Sequence, residues 1–179
     1  MLIQNVRLSF PNLFRAGQFN EDATPKYSAM LIVPKDHPQK NEINAAIMNV
    51  IGEKWGDKKP SSLKICVRDG DEKADKDGFG PDVVFFNATN TTRPTVVDRD
   101  RTPLTESDGR PYAGCYVDSI VEFWAQDNKY GKRINASLSG IQFRADGDAF
   151  GGGRPAGANA FEDLSEVTAE DEDTADFMS

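Results

Sequence analysis

The sequence predicts a mainly β protein: a small Greek-key barrel with one α-helix and long loops, followed by a disordered acidic tail. Three observations predict it. Apolar and polar residues alternate through several segments of strand length. One segment alone repeats its apolar residues at helical spacing. From Asp146 onward the composition turns to glycine, alanine and acid, which cannot bury a core.

The elements follow in order. Residues 2–10 read as a strand, with Leu2, Val6, Leu8 and Phe10 on one parity and Pro11 ending it. Residues 26–33 form a second strand, with Tyr27, Ala29, Leu31 and Val33 on one side. A helix follows. Asp36 is placed as its N-cap, Pro38 lies in the first turn, and Gln39 completes a capping-box spacing. Its stripe is Ile43, Ala46, Ile47, Val50, Ile51 and Trp55, and Gly56 stops it. Residues 63–68 read as a short strand, 69–82 as an Asp-, Lys- and Gly-rich loop, and 83–89 as a strand with a further short one at 95–98. Residues 99–114 form a polar excursion.

The clearest pairing signal comes last. Residues 115–126 alternate, with Cys115, Val117, Ser119, Val121, Phe123 and Ala125 on one face. Tyr116, Asp118, Ile120, Glu122, Trp124 and Gln126 take the other. A tight turn at 127–131 leads into a partner strand at 132–144. The parity of that strand changes between Leu138 and Ile141, so a bulge is expected at Gly140. An OB-fold is the commonest barrel of this size that binds oligonucleotides. A helix directly after the second strand is irregular for it. Residues 1–150 are expected to form that domain, and 151–179 a glycine-rich linker and disordered tail.

Composition excludes several functions. His37 is the single histidine, and Cys66 and Cys115 have no CxxC partner, so no ordinary zinc site or nucleophilic pair can be assembled. No cofactor is called for. No run approaches roughly 18 apolar residues, so no membrane span is predicted, and the first residues lack a signal-peptide pattern. The expected location is cytoplasmic.

The net charge of −8 has to be partitioned before it is used against nucleic acid. All 21 Lys and Arg lie at or before Arg154, and eight acids with no base follow it. Those eight taken from 29 acids leave 21, so residues 1–154 are formally neutral. A neutral body can present a cationic groove.

Single strands are held by cations that follow phosphates and aromatic faces on which bases stack. Lys129, Tyr130, Lys132 and Arg133 bring both together at one turn, and Trp124 and Tyr116 lie on the polar face of the preceding strand. Arg110 and Tyr112 in the polar excursion are further candidates, alongside the looser set Arg93, Arg99 and Arg101. The alternative roles for Trp124 are covering an apolar patch beneath a loop and sealing a homodimer. The tail is the second functional element, with Asp171, Glu172, Asp173, Asp176 and Phe177 as its partner-binding end. A flexible segment of about 24 residues spans roughly 27 Å, against a body radius of gyration near about 15 Å. Its carboxylates can therefore compete with DNA for the body's cations.

The run Gly140-Ile141-Gln142-Phe143 leading to Phe150-Gly151-Gly152-Gly153-Arg154-Pro155, then Phe161-Glu162-Asp163-Leu164 and an acidic end, resembles a bacteriophage single-stranded DNA-binding protein family. The resemblance covers nearly the whole chain. It implies an OB-fold binding single strands without strong sequence preference in replication, recombination and repair, inside the infected bacterial cell. It also implies a DNA-binding role for Arg154 and recruitment of phage or host replication proteins by the tail. Met178 and Ser179 follow Phe177, unlike tails that end on the aromatic. Two rival readings stand: a metal-dependent nuclease using Asp69, Asp71, Asp75, Asp77 and Asp82, and an acidic DNA mimic or scaffold.

Overall fold

A computed structural model of the chain describes residues 1–151 and 161–165. Eight strands share one sheet: β1 (Leu2–Gly17), β2 (Lys26–Pro34), β3 (Lys64–Ile65), β4 (Arg68–Asp69), β5 (Val83–Asn90), β6 (Thr95–Val97), β7 (Tyr116–Asn128) and β8 (Gly131–Ala145). One helix, α1 (Lys40–Trp55), lies between β2 and β3.

The path β8-β7-β1-β2-β5 is antiparallel throughout, and a parallel pairing of β5 with β8 closes it into a ring. Closure removes the sheet's main edges. The ring joins strands one to three to strands four and five by one parallel contact, which is the OB-fold arrangement. Alternation then sorts the side chains. Val6, Leu8, Leu31, Phe86, Ala88, Val117, Val121, Ile134 and Leu138 are buried inside. The opposite parities of β2, β5, β7 and β8 are left for an outer face. Helix α1 adds Ile43, Ile47 and Ile51 to the core and packs on β7 and β8.

Most expected elements form where the pattern put them, and five details differ. Pro11 does not end β1, which runs on to Gly17. The pairing with β2 shifts between Ser9 and Asn12, so Pro11 sits in an irregularity that demands no ladder N–H. The inward parity also fails at the start, because Ile3 is buried while Leu2 and Phe10 are exposed. Asn5 adopts φ +55° and breaks the register between Ile3 and Val6. Its N–H donates to Asp118 Oδ1 at 2.8 Å, and Asp118 in turn accepts from Arg144 Nη1 at 2.9 Å.

The helix begins at Lys40 after Gln39, not after Asp36. His37 holds the chain off the helical path. Its Nδ1 accepts the N–H of Gln39 at 3.0 Å and its Nε2 bonds the carbonyl of Gln4 at 2.7 Å. The strand expected at 63–68 is split into β3 and β4, because Lys64–Ile65 pairs with β8 and Arg68–Asp69 with β5. Last, the excursion 99–114 contains a 3-10 turn at Glu106–Asp108. The bulge at Gly140 is present: Ile120 faces Gly140 while Val121 faces Leu138. Among the described residues no helix is long and apolar enough to cross a membrane.

Candidate nucleic-acid interface

The outward parities converge on one groove of about 1050 Å³. Lys26 and Met30 come from β2, Asn87 and Thr89 from β5, Trp124 and Gln126 from β7, and Arg133 and Asn135 from β8. The β3–β4 segment supplies Lys64, Cys66 and Arg68 to the same groove, and Tyr130 reaches it from the β7–β8 turn. Trp124, Tyr130 and Arg133 are therefore brought together as the sequence suggested.

Trp124 stands directly across the β7–β8 ladder from Asn135, with 42% of its surface exposed. Tyr130 is 74% exposed at the tip of the hairpin. That turn closes in two residues because Gly131 adopts φ +120°, a region L side chains rarely enter. Side-chain amides brace the tip. Asn135 Nδ2 donates to Gln126 Oε1 at 2.9 Å, Gln126 Nε2 donates to Asn128 Oδ1 at 3.2 Å, and the N–H of Tyr130 donates to that same oxygen at 2.9 Å. Lys129 lies with its Nζ 5.0 Å from the Tyr130 ring centroid. Lys132 faces Asp127 across the hairpin, outside the groove lining.

The groove's electrostatics favour an anion. Lys64 and Arg133 are direct partners in the parallel β3–β8 ladder. Like charges placed opposite one another destabilise a sheet, and an anionic ligand relieves the repulsion. Neither they nor Lys26 has a salt-bridge partner among the described residues. The two acids in the groove are already engaged. Asp69 accepts from Lys35 Nζ at 2.8 Å, which lowers its pKa, and Glu72 accepts from Arg68 Nε at 2.6 Å. Arg68 also lies 5.4 Å from the ring of Phe85, which is buried in the groove floor against Phe79. Burial pushes the Cys66 thiol up to about 11, which keeps it protonated and unreactive.

Other predicted residues sit elsewhere. Tyr116 is eight residues along β7 from Trp124, about 27 Å away at strand rise. The Arg7 guanidinium lies 5.5 Å from its ring and 4.4 Å from that of Phe150. Tyr112 donates to Asp146 Oδ1 at 2.6 Å and accepts the N–H of Gly147 at 3.2 Å. Arg110 pairs with Asp98 and lies 5.7 Å from Phe143. Its surroundings include Asp98, Asp100 and Asp146, a poor place for a phosphate. Arg154 and the tail residues Asp171, Glu172, Asp173, Asp176 and Phe177 lie outside the described residues.

Two aspartates of the nuclease reading are used for structure. Asp69 caps the 3-10 turn at Gly70–Lys73 through the N–H of Asp71, and Asp77 accepts the N–H of Gly151 at 3.2 Å. Among the described residues no group of three or more His, Cys, Asp or Glu is placed to hold a metal ion.

Residues 1–177 match the family of the Enterobacter phage Enc34 ssDNA-binding protein. The chain belongs to that family. This Enc34-family member is 45% identical over 179 residues to protein p50 of Acyrthosiphon pisum secondary endosymbiont phage 1, covering 94% of this chain and 96% of that one. It is also similar to the single-stranded DNA-binding protein from bacteriophage Enc34 in complex with ssDNA. That likeness has a TM-score of 0.74 and 35% identity, over 84% of this chain and 88% of that one. gp2.5, a single-stranded DNA-binding protein encoded by bacteriophage T7, gives a TM-score of 0.60 at 13% identity over 91% of this chain and 97% of that one, a likeness of fold alone.

Sequence reasoning missed Lys26, Lys64, Arg68, Asn87 and Thr89. Lys26 and the two β5 residues carried a usable signal, since they lie on the outward parity of strands that could be read. Lys64 and Arg68 carried none, because their place depends on a crossover pairing with β8 and β5.

Proposed function

We propose that this chain binds single-stranded DNA without strong sequence preference, in the groove between Trp124, Tyr130 and the β3–β4 segment. The observation that carries the reading is the meeting of two exposed aromatic rings with Lys26, Lys64, Arg68 and Arg133 on one outer face of an OB-fold. Stacking supplies about 1–3 kcal/mol per base and tolerates any base, while the cations track phosphates. Duplex DNA offers no unstacked base to the rings, so selectivity for single strands follows from the same geometry. Family membership and the ssDNA complex of the Enc34 protein support this reading.

The biological role we assign is a binding function, not an enzymatic one, in phage DNA replication within the bacterial cytoplasm, extending to recombination and repair. In it the acidic tail, through Asp171, Glu172, Asp173, Asp176 and Phe177, competes with DNA for the groove and recruits replication proteins. Arg154 is a further DNA-binding residue in this reading.

Titration of intrinsic Trp fluorescence with oligo-dT and with a duplex of equal length tests the reading, using the full chain and a chain ending at Pro155. The expected result is quenching by oligo-dT that weakens with salt and strengthens on tail removal. Binding unaffected by the tail would remove the competition while keeping the groove. Absence of binding by both chains would overturn the proposal in favour of the DNA mimic, and cleavage with magnesium would favour the nuclease.

A further inference from the structure

We propose that Phe19, on the β1–β2 loop, is a second aromatic finger that stacks on a base at the end of the groove away from the β7–β8 turn's own ring. The inference rests on the single-strand reading above. Phe19 is 96% exposed, the most exposed of the large apolar side chains among the described residues. Isolated exposed apolar residues are ordinary, so exposure alone says little. Three further observations give this one a role.

The first is position. Gly17 and Lys26 are the last paired residues of β1 and β2, and Lys26 lines the groove. Phe19 is two residues beyond Gly17, so its Cα lies within about 7 Å of that pair. The second is bracing. Gln18 Nε2 donates to the carbonyls of Glu21 at 3.0 Å and Ala23 at 2.7 Å, and the N–H of Asp22 donates to Asn20 Oδ1 at 3.0 Å. The turn thereby satisfies its own polar groups and holds the ring in water, instead of folding it onto the barrel. The third is the match with the other tip. There Gln126 and Asn128 brace the turn that presents Tyr130, by the same use of side-chain amides. These two loops join barrel strands one to two and four to five, and they flank the ligand face of this fold in general.

The chemistry of the contact is also specified. Glu21 and Asp22 beside Phe19 repel phosphates, so the loop offers a base face and not a backbone clamp. Loss of the ring should therefore lower affinity without altering the salt dependence. A loop already braced orders little backbone on binding, so less of the ring's stacking energy is spent on ordering.

The test uses the full chain with oligo-dT of increasing length, together with an oligonucleotide carrying 5-iodouracil for photocrosslinking and peptide mapping. Phe19→Ala should weaken binding of the longer strands by about 5- to 150-fold, the range that one stacked base represents. The slope of log affinity against log salt and the melting temperature should stay at wild-type values, Phe19→Trp should restore binding, and the crosslink should map to Phe19. Affinity of Phe19→Ala within about twofold of wild type at every length, with no crosslink in residues 18–25, would overturn the proposal. Failure of the wild-type chain to bind oligo-dT would instead overturn the single-strand reading, before any variant is compared.

Discussion

Neutralising the groove's free cations one at a time should change the salt dependence of binding by a calculable step. Each phosphate contact on a single strand contributes about −0.7 to the slope of log affinity against log salt. Between about 50 and about 200 mM salt, one contact is thus worth roughly a 2.6-fold loss of affinity. Lys26, Lys64 and Arg133 line the groove without ion-pair partners among the described residues, so together they account for about 18-fold of the loss over that interval. Arg133→Gln should shift the slope by about 0.7 and the triple variant by about 2.1, measured by fluorescence titration at several salt concentrations. Two controls separate the mechanisms. Trp124→Ala should lose about 5- to 150-fold in affinity at unchanged slope, since stacking releases no counterions. Arg110→Gln should leave the slope unchanged, because that guanidinium is held by Asp98. Equal slopes for wild type and the triple variant would refute the groove as the phosphate path. A slope change in Arg110→Gln would move that path to the polar excursion.

Three further outcomes are expected. Gly114 has φ +104°, and a Cβ there would meet the carbonyl oxygen of Asp148 at 2.1 Å, so Gly114→Ala should cost at least about 2 kcal/mol by denaturant unfolding. Gly140→Ala, where the nearest neighbour is the Thr95 carbonyl oxygen at 3.5 Å, should cost less than about 1 kcal/mol; equal effects would contradict the backbone geometry of both sites. The hydrogen bond from Arg110 holds the Asp98 carboxyl below its ordinary value of 3.8, so its contribution is complete above that pH and lost as pH falls through the folded value. Wild-type stability should therefore exceed that of Asp98→Asn at about pH 6 and the difference should shrink as pH falls below 3.8, and a constant difference would exclude the pair as the cause. Cys66, pushed up to about 11 by burial, should react with iodoacetamide at about pH 8 roughly two orders of magnitude more slowly in the folded chain than in denaturant, and rapid labelling would show that the groove wall opens.

How far the sequence could be read follows from the range of the interactions involved. The β7–β8 hairpin, its turn and the Gly140 bulge are local, and alternation with turn chemistry specified all three. With them came Trp124, Tyr130 and Arg133, half of the proposed site. The other half depends on contacts remote in sequence. Lys64 reaches Arg133 only through the parallel crossover, and Arg68 reaches the groove only because β4 pairs with β5. Tyr116 shows the converse. It shares the parity of Trp124, which alternation reports correctly, yet alternation carries no information on distance along a strand or on what covers its end. Arg7 covers it, and Phe150 lies on Arg7 in turn, from near both ends of the described body. The helix start failed for a similar reason. Asp36 and Gln39 have the spacing of a capping box, but Gln39 Nε2 donates to the carbonyl of Leu2 and its Oε1 accepts the N–H of Gln4, so a long-range contact takes the side chain that the local motif would have used.

The formal neutrality of residues 1–154 is therefore not an average over a bland surface. Carboxylates distant from the groove are matched to cations distant from it, as in Arg15 with Glu106, Arg144 with Asp118 and Arg110 with Asp98. Inside the groove the two acids are tied to Lys35 and Arg68, while Lys26, Lys64 and Arg133 keep their charge unmatched. A body with no net charge thus places a local positive field where the aromatic rings lie. Long-range attraction to DNA is then weak, and a duplex passing at a distance beyond the Debye length of about 8 Å feels little of it. Only a strand that enters the groove and unstacks a base onto Trp124 or Tyr130 gains both terms at once. On this account selectivity for single strands is set by short-range geometry, so added salt should weaken oligo-dT binding without reversing its preference over duplex.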